Sequence, residues 1–254
     1  MDIKLDQPVD IYFVPDTQQK MGVKNPLSCV AYDIISLFPQ FVVFAGDHWD
    51  MPSLCLYDLG KHSFEEEDYE QDIIAGNESL RIFWSIIQLG FNRNPDWKPT
   101  FVFCWGNHED RINRARETTP RRFLKIFDIV RPDLKNFDHV IPFLEIIRIN
   151  GVMFTHYLAN KHKSTAISNS RLAIGRKHES FCVGHQQGFD YHEDVARGKR
   201  IQGIIAGSCY FHNDDYRGPQ NTVQFRGTVF LRNVFNGEFD FETRSLSSLE
   251  KKYG

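Results

Sequence analysis

The sequence predicts an α/β protein. Short apolar runs rich in Val, Ile and Phe recur along the chain, and each stops at residues able to do chemistry. Between the early runs lie segments whose apolar residues return at helical spacing. Later, two Asn-Gly pairs, Asn150-Gly151 and Asn236-Gly237, separate apolar arms, a strong hairpin signal.

Length and composition set limits on this reading. The chain has 254 residues, enough for one large α/β domain, and neither a repeat nor a Gly/Ser linker divides residues 1–254. Hydrophobic residues make up 41% and charged ones 25%, so a sizeable core is expected, and the 22 Phe suggest aromatic sheet packing. A net charge of -3 excludes a polycation built to coat nucleic acid, though not a local basic patch. The 5 Cys are dispersed with no CxxC pair, as expected of reduced thiols in a cytoplasmic protein. The first residues do not read as a signal peptide, and no apolar run reaches the roughly 20 residues of a membrane span.

The elements follow in order. Ile11 to Val14 reads as a strand, ending in Asp16 and Gln18. Leu27, Val30, Ala31, Ile34, Ile35 and Phe38 mark a covering helix that Pro39 stops. Phe41 to Ala45 is a second buried strand, closed by Gly46 and Asp47, with Asp50 three residues on. Residues 51–63 read as a loop, and Glu65 to Gln88 as one long helix or two, acidic at the start as the helix dipole prefers. Phe101 to Cys104 is a third strand; Gly106 lets the backbone turn sharply before Asn107, His108 and Glu109. Ile146 to Asn150 and Val152 to Thr155 form a hairpin whose second arm ends at His156. A helix around Ala166 to His178 precedes the short run Phe181 to Val183, closed by Gly184, His185, Gln186 and Gln187. Ile201 to Tyr210 and Thr222 to Thr243 finish the chain as strands.

Five runs thus end in metal-capable residues: Asp16 with Gln18, Asp47 with Asp50, Asn107 with His108, His156, and His185 with Gln187. Two divalent cations about 3.5–4 Å apart need a bridging carboxylate and several further donors. Carboxylate, amide oxygen and imidazole suit Mn, Fe, Zn or Ni.

With these residues the chain resembles the calcineurin-like metallophosphoesterases. GDHWD (Gly46 to Asp50) and GNHED (Gly106 to Asp110) match two of that family's blocks in full. FTH (Phe154 to His156) matches its lone-His block; GHQQ (Gly184 to Gln187) matches half of GHxH, and DTQ (Asp16 to Gln18) has Gln where the family has His. The matched blocks are in the family's order over residues 16–187, about two-thirds of the chain. The segment Asp50 to Phe64 is similar to phage-encoded members.

The resemblance implies a four-layer α/β/β/α sandwich with two mixed β-sheets. It implies metal-dependent hydrolysis of a phosphomonoester or phosphodiester, on a phosphorylated small molecule, a nucleotide or a nucleic acid, with no membrane partner. Asp47 is expected to bridge two metals; Asn107, His156 and His185 complete the second site, and Asp16 with positions 18 and 187 serves the first. His108 is expected to be the proton donor, oriented by Asp50. Two imidazoles replaced by amides imply a weak first site, filled by Mn or Mg rather than Zn.

Plainer roles stand beside these. Asp50 also suits an N-cap and Asp16 a turn after Pro15. Gln18 and Gln187 are either weak ligands or supporting groups. Arg111 and Arg114 fall on one helical face and are the substrate-facing candidates of a cluster that otherwise reads as a solvated face. His48 and Tyr157 are candidates to line the cleft. His62, His139, His162, His178, His192 and His212 carry no assignment.

Overall fold

Strand β2 (Val9–Val14) shows why the chain forms layers. Ile11 and Phe13 face one way, Tyr12 and Val14 the other, and all four are fully buried. Successive side chains leave a strand on opposite faces, so apolar residues at every position require cover on both. The computed structural model, which describes residues 1–65, 67–161, 164–196, 198–213 and 224–254, supplies that cover.

Beside β2 run β3 (Phe41–Phe44), β4 (Thr100–Cys104) and β5 (His139–Ile141), all parallel. On its other side lie β11 (Gly227–Phe235) and then β12 (Glu238–Ser245), both antiparallel to their neighbours. The second sheet is ordered β1 (Asp2–Ile3), β6 (Ile147–Ile149), β7 (Val152–Thr155), β8 (Ser180–Val183), β10 (Lys199–Ala206) and β9 (Phe189–Ala196). Its central strands β7, β8 and β10 are parallel, flanked by antiparallel pairs. Both six-stranded sheets are therefore mixed.

Phe13, Val43 and Val102 of the first sheet meet Phe154, Cys182 and Ile204 of the second in one apolar cluster. The first sheet's outer face, with Tyr12, Val42, Phe44 and Phe103, packs under α1 (Leu27–Leu37), α3 (Tyr69–Arg93) and α7 (Leu246–Tyr253). The second sheet's outer face, with Met153, Phe181 and Ile205, packs under α6 (Ser170–Lys177). The order is α/β/β/α, as expected. All five cysteines are buried free thiols. Among the described residues no helix is long and apolar enough to cross a membrane.

Several boundaries differ from the sequence reading for local reasons. The long helix starts at Tyr69 because the Asp68 side chain accepts the Gln71 N–H at 3.0 Å and caps it; it then runs unbroken to Arg93. The expected loop 51–63 holds two single 3₁₀ turns and the start of the short helix α2 (His62–Glu65). Asn169 caps α6 four residues later than expected. Thr222 lies outside the described residues. Both Asn-Gly turns form with positive φ at both positions, and they stack: Gly237 N–H donates to the Asn150 carbonyl at 2.8 Å.

A buried contact between α3 and the first sheet's loops has a testable size. Trp49 is fully buried, and a Cβ at Gly76 would collide with its indole. Gly76→Ala is expected to lower stability by about 1–3 kcal/mol through overpacking, although alanine favours a helix. Gly175 on α6 faces open space, so Gly175→Ala should instead raise stability by up to about 1 kcal/mol. Urea unfolding midpoints of the two variants check the contrast.

Candidate metal centre

Parallel β2, β3 and β4 end on one edge of the first sheet, and parallel β7 and β8 on one edge of the second. The loops after these ends carry Asp16, Asp47, Asn107, His156 and His185. Gly46 and Gly106 let two of the loops touch: a side chain at Gly46 would strike the Cys104 carbonyl, and one at Gly106 the Asp47 carboxylate. Asp47 (φ 49°), Gln18 (φ 39°) and His185 (φ 69°) are all left-handed, which non-glycine residues seldom adopt. Such strain persists where surrounding contacts enforce it.

Glu109 does the enforcing at Asp47. Its fully buried carboxylate accepts the N–H groups of Asp47 (2.8 Å), His48 (2.6 Å), Trp49 (3.1 Å) and Gly106 (2.9 Å). Burial, then the Asp47 charge, push its pKa up, while His156 and the Asp47 and Gly106 N–H groups oppose them. The sequence offered Glu109 only as a polar residue after Asn107 and His108; three of its four partners, Asp47, His48 and Trp49, lie 60–62 residues away.

Four donor atoms converge at the centre. Around His156 Nε2 stand Asn107 Oδ1 at 2.9 Å, Asp47 Oδ2 at 3.2 Å and His185 Nδ1 at 3.2 Å. The ligand atoms of Asp47, His156 and His185 all lie within 4.8 Å of one another. His156 Nδ1 donates to the Ala45 carbonyl at 2.9 Å, so Nδ1 keeps its proton and Nε2 is the nitrogen a metal would take. That tautomer lock is the usual second bond of a metal-binding histidine. One proton on Nε2 satisfies only one of its three neighbours. Donors bound at about 2.0–2.1 Å from a shared ion stand roughly 3 Å apart, which matches these spacings. The set fits a divalent metal.

A second observation concerns Asp16. Its Oδ1 accepts the His185 N–H at 2.9 Å, while Oδ2 is buried without a hydrogen-bond partner. Burial raises its pKa to about 7, partly opposed by His156 and reinforced by Asp47. A buried carboxylate oxygen with no donor is costly, and a cation would relieve it. Gln18 joins Asp47 through its backbone, its N–H donating to the Asp47 carbonyl at 2.9 Å. Gln187 is drawn toward another partner, its Oε1 accepting the Tyr210 hydroxyl at 2.8 Å.

Beside the donor cluster, His108 Nε2 is 3.7 Å from Asp47 Oδ2, and its backbone N–H donates to Asp47 Oδ1 at 2.8 Å. His108 Nδ1 stands 3.1 Å from Asp50 Oδ1, within ion-pair range but misaligned for a hydrogen bond. Lys20, which the sequence reading missed, completes a row: its Nζ is 3.1 Å from Asp50 Oδ2. Burial would raise the Asp50 pKa, but His108 and Lys20 bring it down to about 2. Burial opposes a charged His108, yet Asp47 and Asp50 outweigh it and raise its pKa.

No family model and no curated protein matches the sequence. Among solved structures the chain is similar to Vps29 from Entamoeba histolytica. A crystal structure of the wild-type protein complexed with Zn2+ aligns at 10% identity over 93% of this chain and 99% of that one, with a TM-score of 0.41. A single mutant of the same protein aligns at 11% identity over 93% and 98%, with a TM-score of 0.38. At these scores neither overlay speaks to residues or chemistry.

The structure places the remaining candidates differently. His48 does not line the cleft: the left-handed Asp47 before it turns the ring inward, where Nδ1 meets Thr17 Oγ1 at 2.6 Å and Nε2 meets the Gly76 carbonyl at 2.9 Å. Arg111 is anchored through one guanidinium nitrogen, its Nη1 donating to the Asp50 and Met51 carbonyls at 3.0 and 2.9 Å. Arg114 remains on the rim, donating to the Asn107 carbonyl at 3.1 Å with its side chain 51% exposed. Tyr157 contributes its ring, 4.5 Å from that of His185, while its hydroxyl donates to Ser164. His62, His139, His178 and His192 sit on or beside α2, β5, α6 and β9 rather than in the cluster, and His162 lies outside the described residues.

The cluster has a built-in proton competition. Burial lowers the His156 pKa, but Asp47, Asp16 and Glu109 together raise it to about 9. Below that pH a metal must displace a proton from Nε2. Apparent affinity is therefore expected to rise with pH by up to about tenfold per unit, levelling off above the His156 pKa. Calorimetry in buffers of different ionisation enthalpy reads the released proton; an affinity flat between pH 6 and 8 would remove Nε2 from the ligand set.

Proposed function

We propose that the chain is a metal-dependent phosphoesterase, cleaving a phosphomonoester or phosphodiester with water. The observation that carries this reading is the donor cluster of Asp47, Asn107, His156 and His185 with a His108–Asp50 pair alongside. Metal bound there would lower the pKa of a coordinated water and neutralise charge on phosphoryl oxygens. Asp47 faces both the cluster and His108, and would be the shared carboxylate of a second site and a first site that includes Asp16. His108, whose protonated form Asp47 and Asp50 favour, donates a proton to the leaving oxygen. Asp50 and Lys20 hold the imidazole, and Arg114 on the rim meets the substrate's phosphate.

Two metals, most readily Mn, with Mg, Zn, Fe or Ni as alternatives, suit the donors unequally. The second site has two imidazoles, an amide oxygen and a carboxylate. The first has Asp16 and Asp47 with two neutral glutamines, one already engaged by Tyr210. One metal should copurify, and the other should bind only when Mn or Mg is supplied. Gln18→His with Gln187→His should tighten the first site.

Nuclease and cyclic-nucleotide phosphodiesterase activities are the alternatives within this chemistry. The Gln187–Tyr210 bond favours a second reading, a non-catalytic scaffold keeping one metal. Turnover of bis-p-nitrophenyl phosphate and p-nitrophenyl phosphate with added Mn, alongside anomalous scattering from purified protein, separates them. A folded, metal-loaded protein that turns over neither ester with any divalent metal is the scaffold. Preference for the diester selects the nuclease or phosphodiesterase. A cytoplasmic enzyme is the reading that suits five free cysteines.

A further inference from the structure

The phosphoesterase reading leaves one surface unexplained. Helix α4 (Asp110–Thr118) starts at the donor loop, and the chain continues through a 3₁₀ turn (Arg121–Phe123) into α5 (Lys125–Ile129). Residues 111–125 hold Arg111, Arg114, Arg116, Arg121, Arg122 and Lys125 against a single carboxylate, Glu117. In a chain of net charge -3 that concentration is local and one-signed. Two of the six are structural: Arg111 holds loop carbonyls and Arg116 pairs with Asp128 at 2.8 Å. Arg114 donates to the Asn107 carbonyl and stands 3.6 Å from Asp110 Oδ2, whereas among the described residues Arg121, Arg122 and Lys125 have no carboxylate within ion-pair range. A solvated face would account for charge alone.

It would not account for the aromatics. Phe123 is 55% exposed, with the Arg122 guanidinium 4.8 Å from its ring centroid. Tyr57, on the loop that Arg111 ties to α4, is 93% exposed. Flat rings offered to solvent among cations are what unstacked bases and their phosphates need. Paired bases keep their faces within the stack, so a duplex would leave these rings unused. The nine residues of α4 rise about 13 Å between the donor loop and the segment that leads to Phe123.

We propose that Arg114, Arg121, Arg122 and Phe123 form the track of a single-stranded nucleic acid whose scissile phosphodiester lies at the donor cluster. The inference rests on the phosphoesterase reading for its chemistry, but binding can be tested without it. The probe is fluorescein-labelled dT12, followed by anisotropy with the full chain without added metal. Binding is expected at 50 mM salt, weaker for a duplex of equal length, with a strong inverse salt dependence. Arg121→Ala with Arg122→Ala should lower the salt slope by about 1.4. Phe123→Ala should weaken dT12 about tenfold while leaving inorganic polyphosphate binding unchanged. Mn-dependent turnover of bis-p-nitrophenyl phosphate should be unaffected in all these variants.

Absence of dT12 binding, equal effects of Phe123→Ala on dT12 and polyphosphate, or tighter binding of duplex would each overturn the track. So would capture of an acidic protein in place of dT12. Loss of ester turnover in the wild-type chain, with dT12 binding intact, would overturn the phosphoesterase reading and leave the binding track standing.

Discussion

Asp47→Ala should remove bound metal and ester turnover together. The carboxylate touches every part of the site: Oδ2 lies 3.2 Å from His156 Nε2 and 3.7 Å from His108 Nε2, and Oδ1 accepts the His108 N–H. Its loss takes the negative charge from the donor set and the largest cause of the raised His156 pKa. Three neutral donors then remain at the second site. Losing a mere supporting residue typically costs 10–100-fold in metal affinity, so losing the anionic ligand should cost at least about 100-fold. Alanine also suits the left-handed conformation of Asp47 poorly. Asp47→Asn addresses that, because asparagine tolerates this backbone and its amide oxygen can accept the His108 N–H. The Asn variant should fold with an unchanged circular dichroism spectrum yet fail to retain metal through dialysis. Full occupancy in the folded Asn variant would overturn the bridging role.

Most of the layering could be read from the sequence because its strands are buried on both faces. Ile11 to Val14 and Phe41 to Phe44 are apolar at every position, so they announced themselves without periodicity. The four-layer order came from the family resemblance; apolar runs alone do not say which sheet a strand joins. Strand β9 was missed because it is an outer strand bearing Asp190, Glu193 and Asp194 among its apolar residues. Strand β5 was missed because three residues make no pattern.

At the site, residue identity could be read and side-chain direction could not. Asp47, Asn107, His156 and His185 converge because loops at parallel strand ends share an edge. His48 sits next to Asp47 in sequence but faces the opposite way, since the left-handed turn lies between them. Arg111 looked like a phosphate ligand, but its Nη1 ties two loop carbonyls, a contact the sequence did not signal. Lys20 gave no signal, because its contact with Asp50 joins loops after different strands.

His108→Ala should lower kcat about 10²–10⁴-fold, the usual worth of a general acid, and leave metal content intact. The geometry separates the two effects. His108 Nε2 approaches Asp47 Oδ2 from 3.7 Å but is not among the atoms around His156 Nε2. Burial and Arg111 oppose its protonated form, but Asp47 and Asp50 outweigh them, so its pKa is raised and the donating form is favoured. Activity should then fall on the alkaline side, as the proton is lost. Asp50→Asn removes one of the charges that raise this pKa, so the alkaline limb should move to lower pH with a smaller loss of kcat. Lys20→Met should move the limb the other way, because it leaves the Asp50 charge unshared. Rate profiles from pH 6 to 9, with metal content measured on each variant, read all three. A His108→Ala protein that loses its metal would make His108 a ligand, and an alkaline limb unmoved by Asp50→Asn would assign that limb to another group.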